Sequence, residues 1–291
     1  MILRVLLQIT ALLPLGMLHL VGAGVGRATR RLSPRFRRLL AENLACSGLA
    51  PDAGPTREAL ERRIAAEIGK GLLELPAIWF RSASRVERLV MDPGQWRLVD
   101  DAMREGRGVL FLTPHLGCFE IAATYAALRL PLTVLYRPPK LSWLEPLMRA
   151  ARCRGQGRVA PTSLAGVRRL LKALRSGEAV GVLPDQVPGF GEGVWAPFFG
   201  RMAYTMTLIG RLQKATGCAV ILACSRRLPG GRGFCLEFET LAEDLDGAEG
   251  PARLNRAVER VIRRCPEQYL WSYNRYKVPA GVTPPTPVEA C

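Results

Sequence analysis

The chain has 291 residues, 48% of them hydrophobic, and 41 Lys and Arg against 25 Asp and Glu give a net charge of +16. This length is ample for one large α/β domain with a buried core, and the charge indicates an anionic partner. Nucleic acid is disfavoured because the sequence has neither zinc-ligand spacing nor an aromatic and basic RNA-binding motif, so an anionic membrane surface fits better.

Residues 1–26 form an apolar segment long enough to cross a bilayer, although it contains Arg4, Gln8, Pro14 and His19. A tilted or re-entrant arrangement is the alternative to a clean span. A cleaved signal peptide is disfavoured because eight cysteines without a disulfide or zinc pattern suit a cytosolic setting. The sequence therefore predicts an uncleaved membrane anchor.

A basic cluster follows this segment directly. It consists of Arg27, Arg30, Arg31, Arg35, Arg37 and Arg38. By the positive-inside rule, such a cluster places the chain that follows it in the cytoplasm. A solvated basic helix face is compatible with this orientation.

Alternating apolar strands and helices predict a mainly parallel sheet covered by helices on both faces. Helices are expected at 56–76, ending before Pro76, and at 95–105, 121–128, 141–153, 163–176, 203–216 and 252–264. Strands are expected at 109–112, 132–136 and 179–183, with a closing hairpin of 219–226 and 233–240. The Gly-rich loop 187–193 is a candidate lid.

One stretch carries the candidate chemistry. Residues 109–112 are an apolar strand that Pro114 ends, and His115 follows in a turn before an Ala-rich helix. His115 therefore lies at the carboxyl edge of a strand, where open α/β sheets bind ligands. Since the other His lies in the apolar N-terminal segment, His115 is the one candidate for a His base.

Glu120 comes five residues after His115, a spacing that suits a turn entering a helix. Its carboxylate could fix the imidazole tautomer and leave the second ring nitrogen free to take a proton from a hydroxyl. A helix-capping His and a surface Glu are the plain alternative. Cys118, between them, is expected to pack as a small apolar side chain rather than act as a nucleophile.

Several motifs together resemble one family. His115-Leu-Gly-Cys-Phe-Glu120 resembles the His-x4-Asp/Glu motif of the glycerolipid acyltransferases, and its Glu form is similar to the late acyltransferases of lipid A biosynthesis in Gram-negative bacteria. The other matching stretches, in the family's order, are Tyr136-Arg137-Pro138, Arg152-Cys-Arg154-Gly155, Gly181-Val-Leu-Pro-Asp185-Gln186, Pro197-Phe-Phe-Gly200, and Gln268-Tyr-Leu-Trp271 with Arg275-Tyr-Lys277. Asn274 departs from the pattern, because many relatives carry His or Lys there.

The resemblance implies an O-acyltransferase that moves a fatty acyl group from acyl carrier protein thioester to a hydroxyl of a lipid A precursor, with neither cofactor nor metal. His115 would be the base and Glu120 its orienting partner. Arg137, Arg152 and Asp185 would bind substrate; without the resemblance, the two arginines read as surface charges and Asp185 as a turn residue. Phe198 and Phe199 would line either the core or an acyl-chain tunnel.

The resemblance also implies a setting at the bacterial inner membrane, with membrane lipid as a partner and the catalytic domain facing the cytoplasm. The expected division is a membrane anchor at 1–26, an acyltransferase domain at 27–278 and a disordered tail at 279–291. Two alternatives stay open. One is acylation of another lysophospholipid or glycolipid, and the other is a non-catalytic protein that binds anionic lipid.

Overall fold

The computed structural model describes residues 2–50, 53–91, 93–139 and 141–285, without the side chains of residues 2–6. Its helices are α1 Ile2–Leu12, α2 Leu15–Leu32, α3 Pro34–Ala45, α4 Pro55–Phe80, α5 Ala83–Glu87, α6 Trp96–Arg104, α7 Phe119–Ala127, α8 Glu145–Arg152, α9 Leu164–Arg175, α10 Leu208–Thr216 and α11 Gly250–Arg264. Its strands are β1 Val90–Met91, β2 Val109–Leu112, β3 Leu132–Tyr136, β4 Gly157–Pro161, β5 Ala179–Val182, β6 Gly193–Phe198, β7 Arg201–Met206, β8 Ala219–Arg227 and β9 Phe234–Leu241.

Seven strands form the central sheet in the order β1-β9-β8-β2-β5-β3-β4. All its neighbouring strands are parallel except the β8–β9 hairpin, and β2 lies between β5 and β8 in the middle. The apolar residues of β2 are buried on both faces of the sheet, as the unbroken apolar run predicts. The mainly parallel α/β architecture expected from the sequence is confirmed.

Helices cover both faces and create two apolar cores. Leu170 of α9, Leu212 of α10 and Ile262 of α11 pack on one face. Trp96 of α6 and Ile121 of α7 pack on the other. The closing hairpin at 219–241 and the helix that follows it also form as the sequence predicts.

Four strands were not expected from the sequence: the two-residue strand β1, the edge strand β4, and the pair β6 and β7. The sequence has no apolar run at β4, which forms an edge of the sheet and ends in a proline. The helix expected at 203–216 begins only at Leu208, as α10, because residues 203–206 belong to β7, which pairs with β6 in a separate antiparallel hairpin. Phe199 and Gly200 both adopt positive φ, 49° and 75°, in the two-residue turn that joins these strands.

The expected end of the long helix before Pro76 is also wrong, since α4 continues through Pro76 to Phe80. Tertiary contacts hold the last turn in place after the proline. Ile78 and Trp79 are buried in the core, and Arg154 donates hydrogen bonds to the carbonyl oxygens of both residues, at 2.8 and 3.3 Å. Packing here outweighs the loss of one helical hydrogen bond.

The apolar N-terminal segment folds as two helices that break at Pro14. The second helix, α2, continues past residue 26 and packs along α4, burying Leu15, Leu18 and His19. Among the residues that the structure describes, no helix combines the length and apolar character needed to cross a bilayer. In the tail, the carbonyl oxygen of Thr283 accepts a hydrogen bond of 2.9 Å from Trp195, and residues 286–291 lie outside the described part.

Glycines allow α2 and α4 to approach closely. A Cβ atom on Gly22 would lie 2.6 Å from the carbonyl oxygen of Gly69, and one on Gly26 would lie 1.8 Å from that of Ala65. Both distances are too short for carbon against oxygen, so only glycine fits at these positions. Gly24 lies on the outer side of the same helix, where a Cβ atom would meet no described neighbour within 4 Å.

A buried ionic cluster ties the same two helices to the sheet. His19 Nε2 of α2 lies 3.0 Å from Glu74 Oε2 of α4, and Arg227 of β8 donates to both oxygens of Glu74, at 2.6 and 2.8 Å. Arg227 also donates to Glu67, at 2.7 Å. Burial acts to raise the pKa of Glu74, but Arg227 and His19 outweigh it and lower that pKa to about 2. Glu74 is therefore ionised inside the protein.

We expect Gly26→Ala to destabilise the fold and Gly24→Ala not to. Alanine at position 26 must push α2 away from the α4 backbone, and such overpacking costs about 1–3 kcal/mol. Alanine at position 24 causes no such clash and should be neutral or stabilising by up to about 1 kcal/mol, because glycine is a poor helix former. Chemical denaturation of the two variants in the same detergent measures both effects; equal stability losses would contradict the close packing of α2 on α4.

Candidate active site

Two neighbouring strands end in the same way. Leu112 is the last residue of β2 and lies opposite Val182, the last residue of β5. Each strand is followed by one residue, then a proline, and then a polar residue: His115 after β2 and Asp185 after β5. Because the strands are parallel and in register, the two polar side chains meet at the carboxyl edge of the sheet.

Asp185 holds His115 with both of its carboxylate oxygens. Oδ1 lies 2.9 Å from the imidazole Nδ1, and Oδ2 accepts the backbone N–H of His115, also at 2.9 Å. The Asp185 side chain is only 1% exposed. Burial acts to raise the pKa of Asp185, but His115 outweighs it and holds that pKa below its usual value. An ionised carboxylate only accepts hydrogen bonds, so Nδ1 carries the proton and Nε2 is left as the acceptor.

Two aromatic rings flank the imidazole. Phe119, in the first turn of α7, meets it edge-on with ring centroids 4.8 Å apart. Tyr273 lies nearly parallel to it, with centroids 6.0 Å apart and an angle of 17° between the planes. The ring of His115 is therefore held on both sides as well as at Nδ1, and its side chain is 10% exposed.

The sequence led us to expect that Glu120 orients His115, but in the structure it does not. Its carboxylate, buried in α7, accepts two hydrogen bonds from Arg152, Nε at 3.0 Å and Nη2 at 2.9 Å, and a third from Trp79 Nε1 at 3.1 Å. The expectation failed because it considered only partners close in sequence, whereas Asp185 lies seventy residues away on the adjacent strand. Burial acts to lower the pKa of Arg152, but Glu120 outweighs it and raises that pKa.

The structure thus gathers the five candidates into two pairs and one isolated residue. His115 pairs with Asp185 and Glu120 with Arg152. Arg137 is exposed and forms neither a hydrogen bond nor an ion pair with any residue in the described part of the chain. Its charge nevertheless reaches Tyr273, so it lies near the site. Burial raises the pKa of Tyr273, and the charge of Arg137 is among those that oppose this rise.

Cys118 is not equipped to act as a nucleophile. Its side chain is buried, and burial, together with the nearby Glu74 carboxylate, raises the pKa of this thiol well above its usual value. The thiol therefore stays protonated at neutral pH, when a nucleophile would need the thiolate.

An apolar groove of about 350 Å³ leads from His115 to the N-terminal helices. Its walls are Val25 of α2, Phe36 of α3 and several residues of α4, including Ile68 and Leu72. His115, Phe119 and Glu120 line its inner end. The groove connects the imidazole of His115 to the N-terminal helices, and it is a feature that the sequence did not reveal.

A second, narrow cavity of about 50 Å³ lies on the other side of Phe119 and Glu120, and Arg152 and Leu183 line it. A larger depression of about 810 Å³ lies at the opposite edge of the sheet, around Arg97 and Arg107, away from His115. In the part of the chain that the structure describes, no group of three His, Cys, Asp or Glu side chains is placed to hold a metal ion.

Phe198 and Phe199 belong to the core rather than to either cavity near His115. They contact each other at 4.9 Å between ring centroids and pack against Tyr269 and Trp271. Of the two roles open from the sequence, the structure favours the core. Two residues at the site, Trp79 and Tyr273, were not identified as functional, because neither has a distinctive spacing from His115 in the sequence.

A family model described as bacterial lipid A biosynthesis acyltransferase matches residues 2–278. The chain belongs to this family. Its expected identity as an O-acyltransferase of lipid A biosynthesis is therefore confirmed. The site agrees with that identity, because an imidazole that has a free acceptor nitrogen and lines an apolar groove is suited to activating a hydroxyl of a lipid.

Individual relatives align with nearly the whole acyltransferase. A lipid A biosynthesis lauroyltransferase of Escherichia coli is 27% identical over 278 residues, which cover 93% of this chain and 89% of the relative. A lipid A biosynthesis palmitoleoyltransferase of the same species is 28% identical over 275 residues, or 92% and 88%. A lipid A biosynthesis acyltransferase of Haemophilus influenzae is 26% identical over 279 residues, or 91% and 86%.

Asp185→Asn should change the tautomer of His115, whereas Glu120→Gln should not. An amide can donate its N–H to Nδ1, which would move the ring proton to Nε2, while Glu120 has no bond to the ring. Nitrogen NMR of labelled histidine measures the tautomer directly, and only two histidines contribute signals. A change of tautomer in Glu120→Gln and none in Asp185→Asn would contradict the pairing described above.

Proposed function

We propose that this acyltransferase moves a fatty acyl group from the thioester of acyl carrier protein to a hydroxyl of a lipid A precursor at the inner membrane. The observation that carries the proposal is the imidazole of His115, fixed by Asp185 at Nδ1 and lining the apolar groove. The names of the relatives, which differ in the acyl group transferred, support a fatty acyl donor and a lipid acceptor.

The reaction proceeds by direct transfer. Nε2 of His115 takes the proton of the acceptor hydroxyl while the hydroxyl oxygen attacks the thioester carbonyl carbon. The tetrahedral intermediate then collapses, the carbon–sulfur bond breaks, and the leaving thiolate takes the proton back from the imidazolium. An ester and a free thiol are formed, and no acyl group is attached to the enzyme.

Asp185 and Glu120 have different tasks in this mechanism. Asp185 keeps the imidazole in the reactive tautomer and stabilises the imidazolium that forms during transfer. Glu120 holds the Arg152 guanidinium by two bonds to Nε and Nη2, which leaves Nη1 without a bond to any described residue and free for an anionic group of a substrate. Arg137, exposed and near Tyr273, is a second cation for such a group.

An exposed apolar face supports binding of the enzyme to the membrane surface. It consists of Ile9, Leu12, Met17, Leu20, Val21, Val25 and Leu32 of α1 and α2, together with Leu72 of α4. Its α2 members are separated by three, one, four and seven residues, so they fall on one side of the helix. Five exposed arginines of the basic cluster (Arg27, Arg31, Arg35, Arg37 and Arg38) lie next to it. Val25 and Leu72 also line the groove, so the groove opens onto this face.

We propose that α1 and α2 lie in the cytoplasmic leaflet with this face in the lipid. The buried side of α2 is engaged with α4, which supports a helix lying on the membrane more than one crossing it. The bounds proposed from the sequence, an anchor at 1–26 and a separate domain from 27, would cut α2 in the middle. The proposed membrane anchor therefore extends to the end of α2. In this arrangement the adjacent arginines face anionic headgroups.

The activity test uses purified enzyme with acyl carrier protein thioester and three acceptors in separate reactions: a lipid A precursor, a lysophospholipid and a glycolipid. Release of thiol should depend on the lipid A precursor, and His115→Ala should lower kcat by about 10² to 10⁴ because a general base contributes that much. Arg97→Ala, at the opposite edge of the sheet, is the control and should leave kcat unchanged. Faster acylation of either other lipid would reject the acceptor, and wild-type turnover in His115→Ala would reject the base.

The membrane test compares two leucines of similar exposure. Leu20, 74% exposed, lies on the apolar face, and Leu164, 79% exposed, begins α9 elsewhere. Leu20→Asp should weaken binding to anionic vesicles and lower transfer to a vesicle-embedded acceptor more than to a detergent-dispersed one, whereas Leu164→Asp should change neither. High salt should not release the wild type, because salt screens the arginines, worth about 1 kcal/mol each, but not apolar burial. Release by salt alone would show that charge, and not the apolar face, holds the enzyme.

A further inference from the structure

The imidazole of His115 is connected to the N-terminal helices through the terminal segment 270–273. Leu270 donates its backbone N–H to the carbonyl oxygen of His115 at 3.0 Å. The hydroxyl of Tyr273 accepts the backbone N–H of Val187, two residues after Asp185, also at 3.0 Å. The segment therefore bonds to both strand ends that carry the pair and places the Tyr273 ring against the imidazole.

One side chain of α3 holds this segment. Asn43 Nδ2 donates to the carbonyl oxygen of Trp271 at 2.6 Å and to that of Tyr273 at 2.9 Å. Asn43 is only 4% exposed, so water does not compete for these bonds. Both bonds go to main-chain atoms, which means that the position of Asn43 sets the position of the Tyr273 backbone.

The helix that carries Asn43 is joined directly to the helix that carries the apolar face. Ser33 ends α2 and begins α3, and its hydroxyl accepts the backbone N–H of Phe36 as an N-terminal cap, at 3.2 Å. The apolar face lies on α2, and Phe36 of α3 lines the groove. A shift of these helices would therefore reach Tyr273 through Asn43.

We infer that Asn43 is a positioning residue for the base. Through the Tyr273 ring, it couples the position of α2 and α3 to the orientation of His115. The inference rests on the proposed role of His115 but adds a residue that touches neither substrate nor the imidazole. A simple tether would support stability alone. A positioning residue must also affect the imidazole and the chemical step.

Three variants separate these two roles. Asn43→Ala removes both bonds to the segment. Tyr273→Leu removes the ring but keeps the main-chain carbonyl that Asn43 binds. Gln213→Ala is the matched control, because Gln213 also bonds two backbone groups, Glu243 O at 3.1 Å and Leu245 N at 2.8 Å, at the opposite edge of the sheet.

We expect Asn43→Ala to lower kcat for transfer to a detergent-dispersed acceptor by about tenfold to a hundredfold, since a small misplacement of a catalytic group has effects of this size. KM should stay nearly unchanged. Tyr273→Leu should give a similar loss, and adding Asn43→Ala to it should lower kcat little further, because both changes act on the same contact. Gln213→Ala should leave kcat unchanged. A raised KM with wild-type kcat, or fully multiplicative losses in the double variant, would overturn the coupling through Tyr273.

The imidazole signals of His115 give a readout that needs no substrate. In Asn43→Ala and Tyr273→Leu these NMR signals should shift and broaden, while those of His19 stay in place. Unchanged His115 signals in both variants would overturn the inference. Because this readout is independent of turnover, a wild type that fails to acylate the lipid A precursor would reject the proposed function without deciding the role of Asn43. If Asn43→Ala does not fold, Tyr273→Leu still tests the ring contact, and wild-type kcat and signals in that variant would overturn the inference.

Discussion

The buried carboxylate of Asp185 is the group on which the geometry of the site depends. An ion removed from water needs donors close to each oxygen, and here the backbone and the ring of His115 supply one each. Tyr269 and Arg275 lie behind it, and the pKa of the Tyr269 phenol is raised well above its usual value by burial and by this carboxylate. A single charge thus joins the ends of two central strands and fixes the tautomer of His115.

The sequence predicted His115 as the base and placed Asp185 at the same edge of the sheet, because an apolar run followed by proline marks the end of a buried strand. It paired His115 with Glu120 because local spacing considers only near neighbours. The order of strands in the sheet, which places β5 beside β2, cannot be read from composition or periodicity. A signal was nevertheless present: both strand ends have one residue and a proline before their polar residue. Recognising that symmetry requires knowing that the two strands are adjacent and in register.

The remaining differences arise where tertiary contacts outweigh local preference. Residues 203–206, Ala-Tyr-Thr-Met, read as the start of the helix that follows, yet the turn at Phe199 and Gly200 returns the chain as a strand. Pro76 should end a helix, yet a buried last turn and an arginine from another part of the chain keep it going. In the N-terminal segment, hydrophobicity alone could not separate the residues that pack on α4 from those that remain exposed. His19 was the local indication, since a buried imidazole requires a partner such as Glu74.

Val25 and Leu72 belong both to the outer apolar face and to the wall of the groove, and this double membership has an energetic consequence. Moving a hydrocarbon chain from a bilayer through water costs about 0.8 kcal/mol for each methylene group. If the apolar face lies in lipid as proposed, an acceptor chain that passes between these two side chains exchanges lipid neighbours for leucine, isoleucine and phenylalanine without being hydrated. In the proposed arrangement, the barrier to entry of the acceptor lipid is therefore set by the width of the entrance and not by the length of its chains.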